Sequence, residues 1–158
     1  MMRIVAIIQA RMGSTRLPGK TLEKIAGMTM LERVVRRTAA SRLISEVTVA
    51  TTVSPRDDVI SDASSGIGCR CFRGGEQDVL DRYLRAAVEF EAEIVVRITS
   101  DCPLIDAVVV DRVITAFLDE APDYASNTLE RTYPRGLDTE VLSRAALERA
   151  WREADQPY

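Results

Sequence analysis

Apolar residues in this chain follow two rhythms, and their alternation predicts the architecture. Residues 4–8 form an unbroken apolar, β-branched run that ends in the polar, glycine-bearing stretch 9–20, the pattern of a buried strand feeding a loop. Thr29 with Glu32 three residues on makes a capping box, and Met30, Leu31, Val34 and Val35 then place an apolar stripe on one helix face. Residues 46–52 read as a second strand. Ser54, Pro55, Asp57 and Asp58 mark a helix start: serine caps, proline fits the first turn, and acidic groups favour the positive end of the dipole. Gly66 closes that helix.

A short strand around residues 70–72 precedes a helix from about 77 to 90, on which Val79, Leu80, Tyr83, Leu84 and Ala87 recur at helical spacing. Residues 93–99 are again β-rich and Pro103 stops them. Asp106 caps a helix through Val109, Val113, Ile114 and Phe117. Beyond Pro122 come short extended pieces, 124–128 and 137–142. A last helix runs from Ser143 towards Glu153, with Leu147, Ala150 and Trp151 as a packing stripe. Strand and helix alternate through the first two thirds. That predicts an α/β fold in three layers, a mostly parallel sheet with helices on both faces and right-handed crossovers.

Composition narrows the function. A chain of 158 residues, 46% hydrophobic and 28% charged, is expected to form one domain over residues 1–158, which excludes disordered and collagen-like classes. A net charge of −3 gives no general attraction to nucleic acid or anionic lipid, and no stretch is apolar enough to span a bilayer. With no signal-peptide cleavage region and three cysteines, Cys69, Cys71 and Cys102, read as free thiols, a reducing, cytoplasmic setting is expected. Histidine is absent. That removes the commonest general base, the serine–histidine pair and histidine-ligated zinc, so chemistry must rest on carboxylates, cations, backbone amides or a metal ion.

The stretch from Gln9 through Ala10, Arg11, Gly13, Ser14, Thr15 and Arg16 to Gly19 and Lys20 is the most informative. Two glycines let backbone amides approach an anion, two hydroxyls can donate, and Arg11, Arg16 and Lys20 place three cations in one loop after a buried strand. A solvated surface loop is the alternative, but that concentration of cations favours a polyphosphate. It is not a P-loop, because five residues separate Gly13 from Gly19 and Pro18 removes an amide. Asp101 follows the strand at 93–99, where ligands bind in doubly wound sheets, and a carboxylate beside phosphates suits Mg²⁺. Asp101 equally fits a turn before Pro103. Arg73 with Gly74 and Gly75, and the turn Tyr133-Pro134-Arg135-Gly136-Leu137-Asp138, are weaker candidates for nucleoside and acceptor contacts; the turn reads equally as a plain hairpin connection.

Taken together, segment 9–20, Ala50-Thr51-Thr52, Phe72-Arg73-Gly74, the run from Asp78 through Arg82 to Tyr83, the run from Arg97 through Asp101 to Leu104, Ser126-Asn127-Thr128 and the Tyr133–Asp138 turn resemble the cytidylyltransferases that activate acidic sugars, and most of all their spore-coat polysaccharide branch. The resemblance implies a nucleotide-diphospho-sugar transferase fold. It implies CTP and a sugar acceptor as substrates and Mg²⁺ as cofactor. Ala10, Arg11, Gly13, Ser14, Arg16 and Lys20 would hold the triphosphate, with Arg11 and Lys20 acting catalytically; Thr51, Arg73 and Arg82 would lie near the nucleoside. Asp101 would hold the metal, and Tyr133, Arg135 and Asp138 the sugar. Position 100 departs from the pattern, with serine where glycine is common.

Relatives of this type continue past the point matching Tyr158, with a dimer-forming segment and a late aspartate that completes the metal site. Either this chain is a fragment or a shortened form, or Asp138 substitutes for that aspartate, and homodimer pairing is expected to be weakened. Two competing classes follow: a non-catalytic nucleotide-binding module of a polysaccharide assembly system, and a glycosyltransferase using a ready-made sugar nucleotide.

Overall fold

The computed structural model describes residues 2–14 and 17–155. Its centre is β1 (Ile4–Gln9), flanked in parallel by β4 (Glu46–Thr52) and β6 (Ile94–Thr99), which explains why its sequence is apolar on both faces. Ahead of β4, a small hairpin of β2 (Lys24–Ile25) and β3 (Met28–Thr29) turns through Ala26 and Gly27, both at positive φ. β5 (Arg70–Gly74) adds in parallel beyond β4; β8 (Glu140–Ser143) and β7 (Tyr124–Ser126) close the other side antiparallel, giving the order β5-β4-β1-β6-β8-β7.

Alternation along the strands splits the core in two. Ile4, Ala6 and Ile8 of β1 pack under α1 (Met30–Thr38), α2 (Asp58–Gly66) and α4 (Ala107–Glu120) through residues such as Leu31, Ile60 and Ile114. Val5 and Ile7 face α3 (Val79–Glu89) and α5 (Arg144–Glu153) through Tyr83, Ala86 and Leu147. The three-layer α/β fold and mostly parallel sheet expected from the sequence are therefore present. Among the described residues no helix is long and apolar enough to cross a membrane.

Several local expectations change. Thr29 Oγ1 accepts from the Glu32 amide at 3.2 Å, but the Glu32 carboxylate pairs with Arg36, so only half of the capping box forms. The helix expected from residue 77 starts at Val79, because Asp78 is its cap and accepts from Asp81 N at 2.8 Å. Ser54 makes no side-chain cap; residues Pro55–Asp57 form a 3-10 turn ahead of α2. The stripe on α5 is Leu147 alone: Ala150 is exposed, and Trp151 is 44% exposed with its indole N–H donated to Asp81 at 3.1 Å. The three thiols are free as read, Cys69 and Cys102 buried and Cys71 half-buried. Burial, with the charges of Cys71 and Glu46 adding to it, pushes the Cys69 thiol up to about 12.

Gly74, at the end of β5, is a close-approach position. A Cβ there would lie 2.9 Å from both Arg82 Cγ and Phe72 Cε1. Gly74→Ala is expected to destabilise the fold by about 1–3 kcal/mol through overpacking, read as a lower denaturation midpoint at unchanged slope.

Candidate functional site

After β1 the chain leads through α1 to β4 and β5, then crosses back through α3 to β6 on the other side of β1. The carboxyl ends of β1 and β6 thus border the point where strand order reverses, the usual ligand crevice of such sheets. Ala10 is buried and its N–H still bonds the sheet, donating to Ala50 O at 3.1 Å. From there the loop departs. The Arg11–Met12 peptide is held at both ends: Thr21 Oγ1 donates to Arg11 O at 3.2 Å, and Met12 N donates to Asp57 Oδ1 at 2.8 Å. Met12 O accepts from Ser14 N at 2.9 Å and Gly19 N at 3.1 Å, drawing the loop back on itself. Gly19 turns at φ 74°, a left-handed conformation that glycine adopts without a Cβ clash, and delivers Lys20 into a short 3-10 turn.

The opposite wall comes from β6. Ser100 N donates to Gln9 O at 3.0 Å, and Asp101 follows in the turn beyond it. Lys20 Nζ reaches across to Asp101 Oδ2 at 2.6 Å. Between the walls lies a cleft of about 290 Å³. Arg11, Lys20 and Arg97 are its cations; Ser14, Thr21, Thr99 and Ser100 contribute hydroxyls; Asp101 is the carboxylate among its described lining residues. Gln9 lines it as well, with a buried Oε1 that has no hydrogen-bond partner among the described residues. Burial by itself would raise the Asp101 carboxyl, but hydrogen bonds from Lys20 and Thr99 together with the lysine's charge outweigh it, so the group sits below its ordinary value. Three cations facing one carboxylate in a hydroxyl-rich hollow can receive a compact polyanion.

The cleft gathers only part of the set picked out in the sequence. Arg11, Ser14, Lys20 and Asp101 meet there; Ala10 lies behind it, and Arg16 falls outside the described residues. Gly13 faces the 54–57 turn, where an added Cβ would stand 3.4 Å from Arg56 Cζ. Thr51 is fully buried with no partner for its hydroxyl among the described residues. Arg73 donates to Thr52 O and Ser54 O and pairs with Asp58 at 2.6 Å, bracing the β4–β5 edge. Arg82 is 1% exposed, and its Nη1 donates to Gly75 O at 2.5 Å, so it supports the loop after β5 from beneath. In the 128–139 connection, Asn127 Nδ2 donates to Leu137 O and Thr139 N donates to Asn127 Oδ1, closing the turn. Tyr133 OH accepts from Arg112 of α4 at 3.1 Å, Arg135 is exposed, and Asp138 takes a two-pronged bond from Arg131 at 2.9 and 3.1 Å. None of these three lines the cleft. Burial raises the Cys102 thiol, and the charges of Asp101 and Asp138 add to that rise.

Two contributors were given no role in the site by the sequence. Arg97 interrupts an otherwise apolar strand, which was the available signal; it pairs with Glu140 of β8 and lies over the Tyr83 ring at 5.6 Å. Asp57, read as a helix-dipole residue, is fully buried and accepts from Met12 N and Thr52 Oγ1. Thr52 ends the strand just before its turn, but Met12 lies beyond the end of β1, 45 positions away, and that contact leaves no local trace.

This architecture is that of the nucleotidyltransferases. Residues 5–158 match the cytidylyltransferase family, and the chain belongs to it. A solved cytidylyltransferase from Leptospira borgpetersenii superposes with a TM-score of 0.94 at 36% identity, over 100% of this chain and 67% of that one. The spore coat polysaccharide biosynthesis protein SpsF of Bacillus subtilis is 35% identical over 89% of this chain and 59% of its own length. The 3-deoxy-manno-octulosonate cytidylyltransferase of Geobacter sulfurreducens is 43% identical over 82% and 50%. The chain thus spans 59% and 50% of the length of these two curated relatives.

Proposed function

We propose that the cleft binds CTP and that the chain takes part in transferring CMP to a sugar hydroxyl with release of pyrophosphate. The observation that carries this reading is the 2.6 Å approach of Lys20 to Asp101, which brings the β1 loop and the β6 terminus to one polar hollow. Family membership supports the nucleotide. The names of the Geobacter and Bacillus relatives support an acidic sugar acceptor and a polysaccharide pathway. The buried, unpartnered Oε1 of Gln9 supports a ligand that donates, as a sugar hydroxyl does.

In this mechanism an acceptor oxygen attacks the α-phosphorus in line, the bond from that phosphorus to the bridging oxygen breaks, and the acceptor proton is lost to solvent. Arg11 and Lys20 neutralise charge developing on the departing pyrophosphate, and Ser14 donates to a phosphate oxygen. Such transfer depends on positioning and charge more than on a strong base, in keeping with a chain that has no histidine. Among the described residues no group of three or more histidine, cysteine or acidic side chains could cage a metal. The single carboxylate of Asp101, 46% exposed, fits instead a Mg²⁺ shared with phosphate oxygens. Bound there, the ion would supply further charge neutralisation.

Pyrophosphate release measured with CTP, Mg²⁺ and a panel of acidic and neutral sugars, 3-deoxy-manno-octulosonate included, tests the reading. Release that requires both CTP and an acceptor is expected. CTP binding without release for any acceptor would leave a nucleotide-binding module, and free nucleotide released from a ready-made sugar nucleotide would make it a glycosyltransferase.

A further inference from the structure

We infer that Asp57 is a positioning residue for the loop that carries Arg11, acting through the Met12 amide; this rests on the reading of the cleft as a triphosphate site. The 54–57 turn makes two contacts on that loop from the β4 side. Asp57 Oδ1 accepts from Met12 N at 2.8 Å, and the guanidinium of Arg56 stands beside Gly13, its Cζ 3.4 Å from where a Cβ would lie. The other carboxylate oxygen of Asp57 accepts from Thr52 Oγ1, and Thr52 Oγ1 in turn accepts from Ser54 N at 3.1 Å. The carboxylate is thereby locked to the end of β4 and cannot follow the loop if the loop shifts.

Its grip falls where it controls most. The peptide it holds also bears the Arg11 carbonyl, which accepts from Thr21 Oγ1 on the opposite side. The next carbonyl, Met12 O, takes both amides that fold the loop, from Ser14 and Gly19. Removing Asp57 releases one end of the Arg11–Met12 peptide and leaves a half-buried N–H without its acceptor, so the direction in which Arg11 leaves the backbone is no longer fixed. Charge acts in the same place. Burial lowers the Arg82 guanidinium and the charge of Arg11 lowers it further, whereas Tyr83, Asp57 and Asp78 raise it; Asp57 therefore partly offsets the burial of Arg82.

The test is calorimetric titration of the full chain with CTP and, separately, with tripolyphosphate, on wild type, Asp57→Ala, Asp57→Asn, Thr52→Val, Arg11→Ala and the double variant Asp57→Ala with Arg11→Ala. Asp57→Ala is expected to weaken both ligands by about tenfold. Asp57→Asn keeps an oxygen for the Met12 amide and is expected to recover most of that loss. In the Arg11→Ala background the Asp57→Ala effect should shrink to about twofold or less, because its route to the ligand is gone. Should Asp57→Ala fail to fold, Thr52→Val frees one carboxylate oxygen without emptying the site and is expected to weaken binding several-fold.

Wild-type affinity in a folded Asp57→Ala, or in Thr52→Val where the alanine variant is unfolded, overturns the proposal. So does a full, additive loss in the double variant. A wild-type chain that binds neither CTP nor tripolyphosphate overturns the functional reading and this proposal with it, whereas wild-type binding that Asp57 does not affect overturns this proposal alone.

Discussion

Asp101→Asn is expected to lower Mg²⁺-dependent pyrophosphate release by about a thousandfold, while CTP binding measured without metal stays the same or tightens a few-fold. The opposite signs come from the Lys20–Asp101 pair. The 2.6 Å contact occupies the lysine with a carboxylate that would also repel phosphate. An asparagine has nearly the same shape but no charge, so it would free Lys20 for the triphosphate and take away the carboxylate proposed to hold Mg²⁺ in one step. Steady-state kinetics over a range of Mg²⁺ concentrations, beside titration with CTP in chelator, separates the two effects. A matching loss in both would mean that Asp101 only shapes the loop.

The same pair leaves a signature in stability. The Asp101 value is depressed in the fold, so its contribution is present above the unfolded aspartate value of about 3.9 and is lost as pH falls through the lower folded value. The difference in melting temperature between wild type and Asp101→Asn should therefore shrink as pH drops below about 4.

Lys20→Met is expected to cost about a hundredfold in kcat/KM for CTP, with Arg11→Ala of similar size. Both cations face the cleft from one loop, but they are held differently. Lys20 is anchored by Gly19 and the 3-10 turn that follows, and Arg11 by the peptide clamped between Thr21 and Asp57. The methionine retains the length and apolar stem of lysine, so a lost rate reports lost charge. If Lys20 neutralises charge that builds up as pyrophosphate leaves, kcat falls more than KM rises. An effect confined to KM would reduce Lys20 to a ground-state binding contact.

How much of this was legible depended on sequence distance. β1, the cap at Asp106 and the helix start at Ser143 could be read because burial on both faces and helix starts leave their mark within a few residues. Arg11 and Asp101 follow the ends of neighbouring parallel strands and Lys20 returns on the same loop as Arg11, so chain direction brings all three to the one crevice. Arg73 and Arg82 carry the right chemistry, but their bonds go to backbone carbonyls of Thr52, Ser54 and Gly75, which no local pattern announces. Asp57 looked like an ordinary first-turn acid, and its role depends on Met12, 45 positions earlier. The Tyr133–Asp138 turn was correctly seen as a turn. Its Tyr133 and Asp138 are engaged by Arg112 and Arg131, partners that no local pattern announces.

A structure of the chain with CTP and Mg²⁺ bound would bear most directly on the whole account. It should show the triphosphate between the β1 loop and the end of β6, with Arg11 and Lys20 on phosphate oxygens and Lys20 Nζ drawn off Asp101 towards the nucleotide. A nucleotide seated elsewhere on the sheet, with the Lys20–Asp101 contact unbroken, would contradict it.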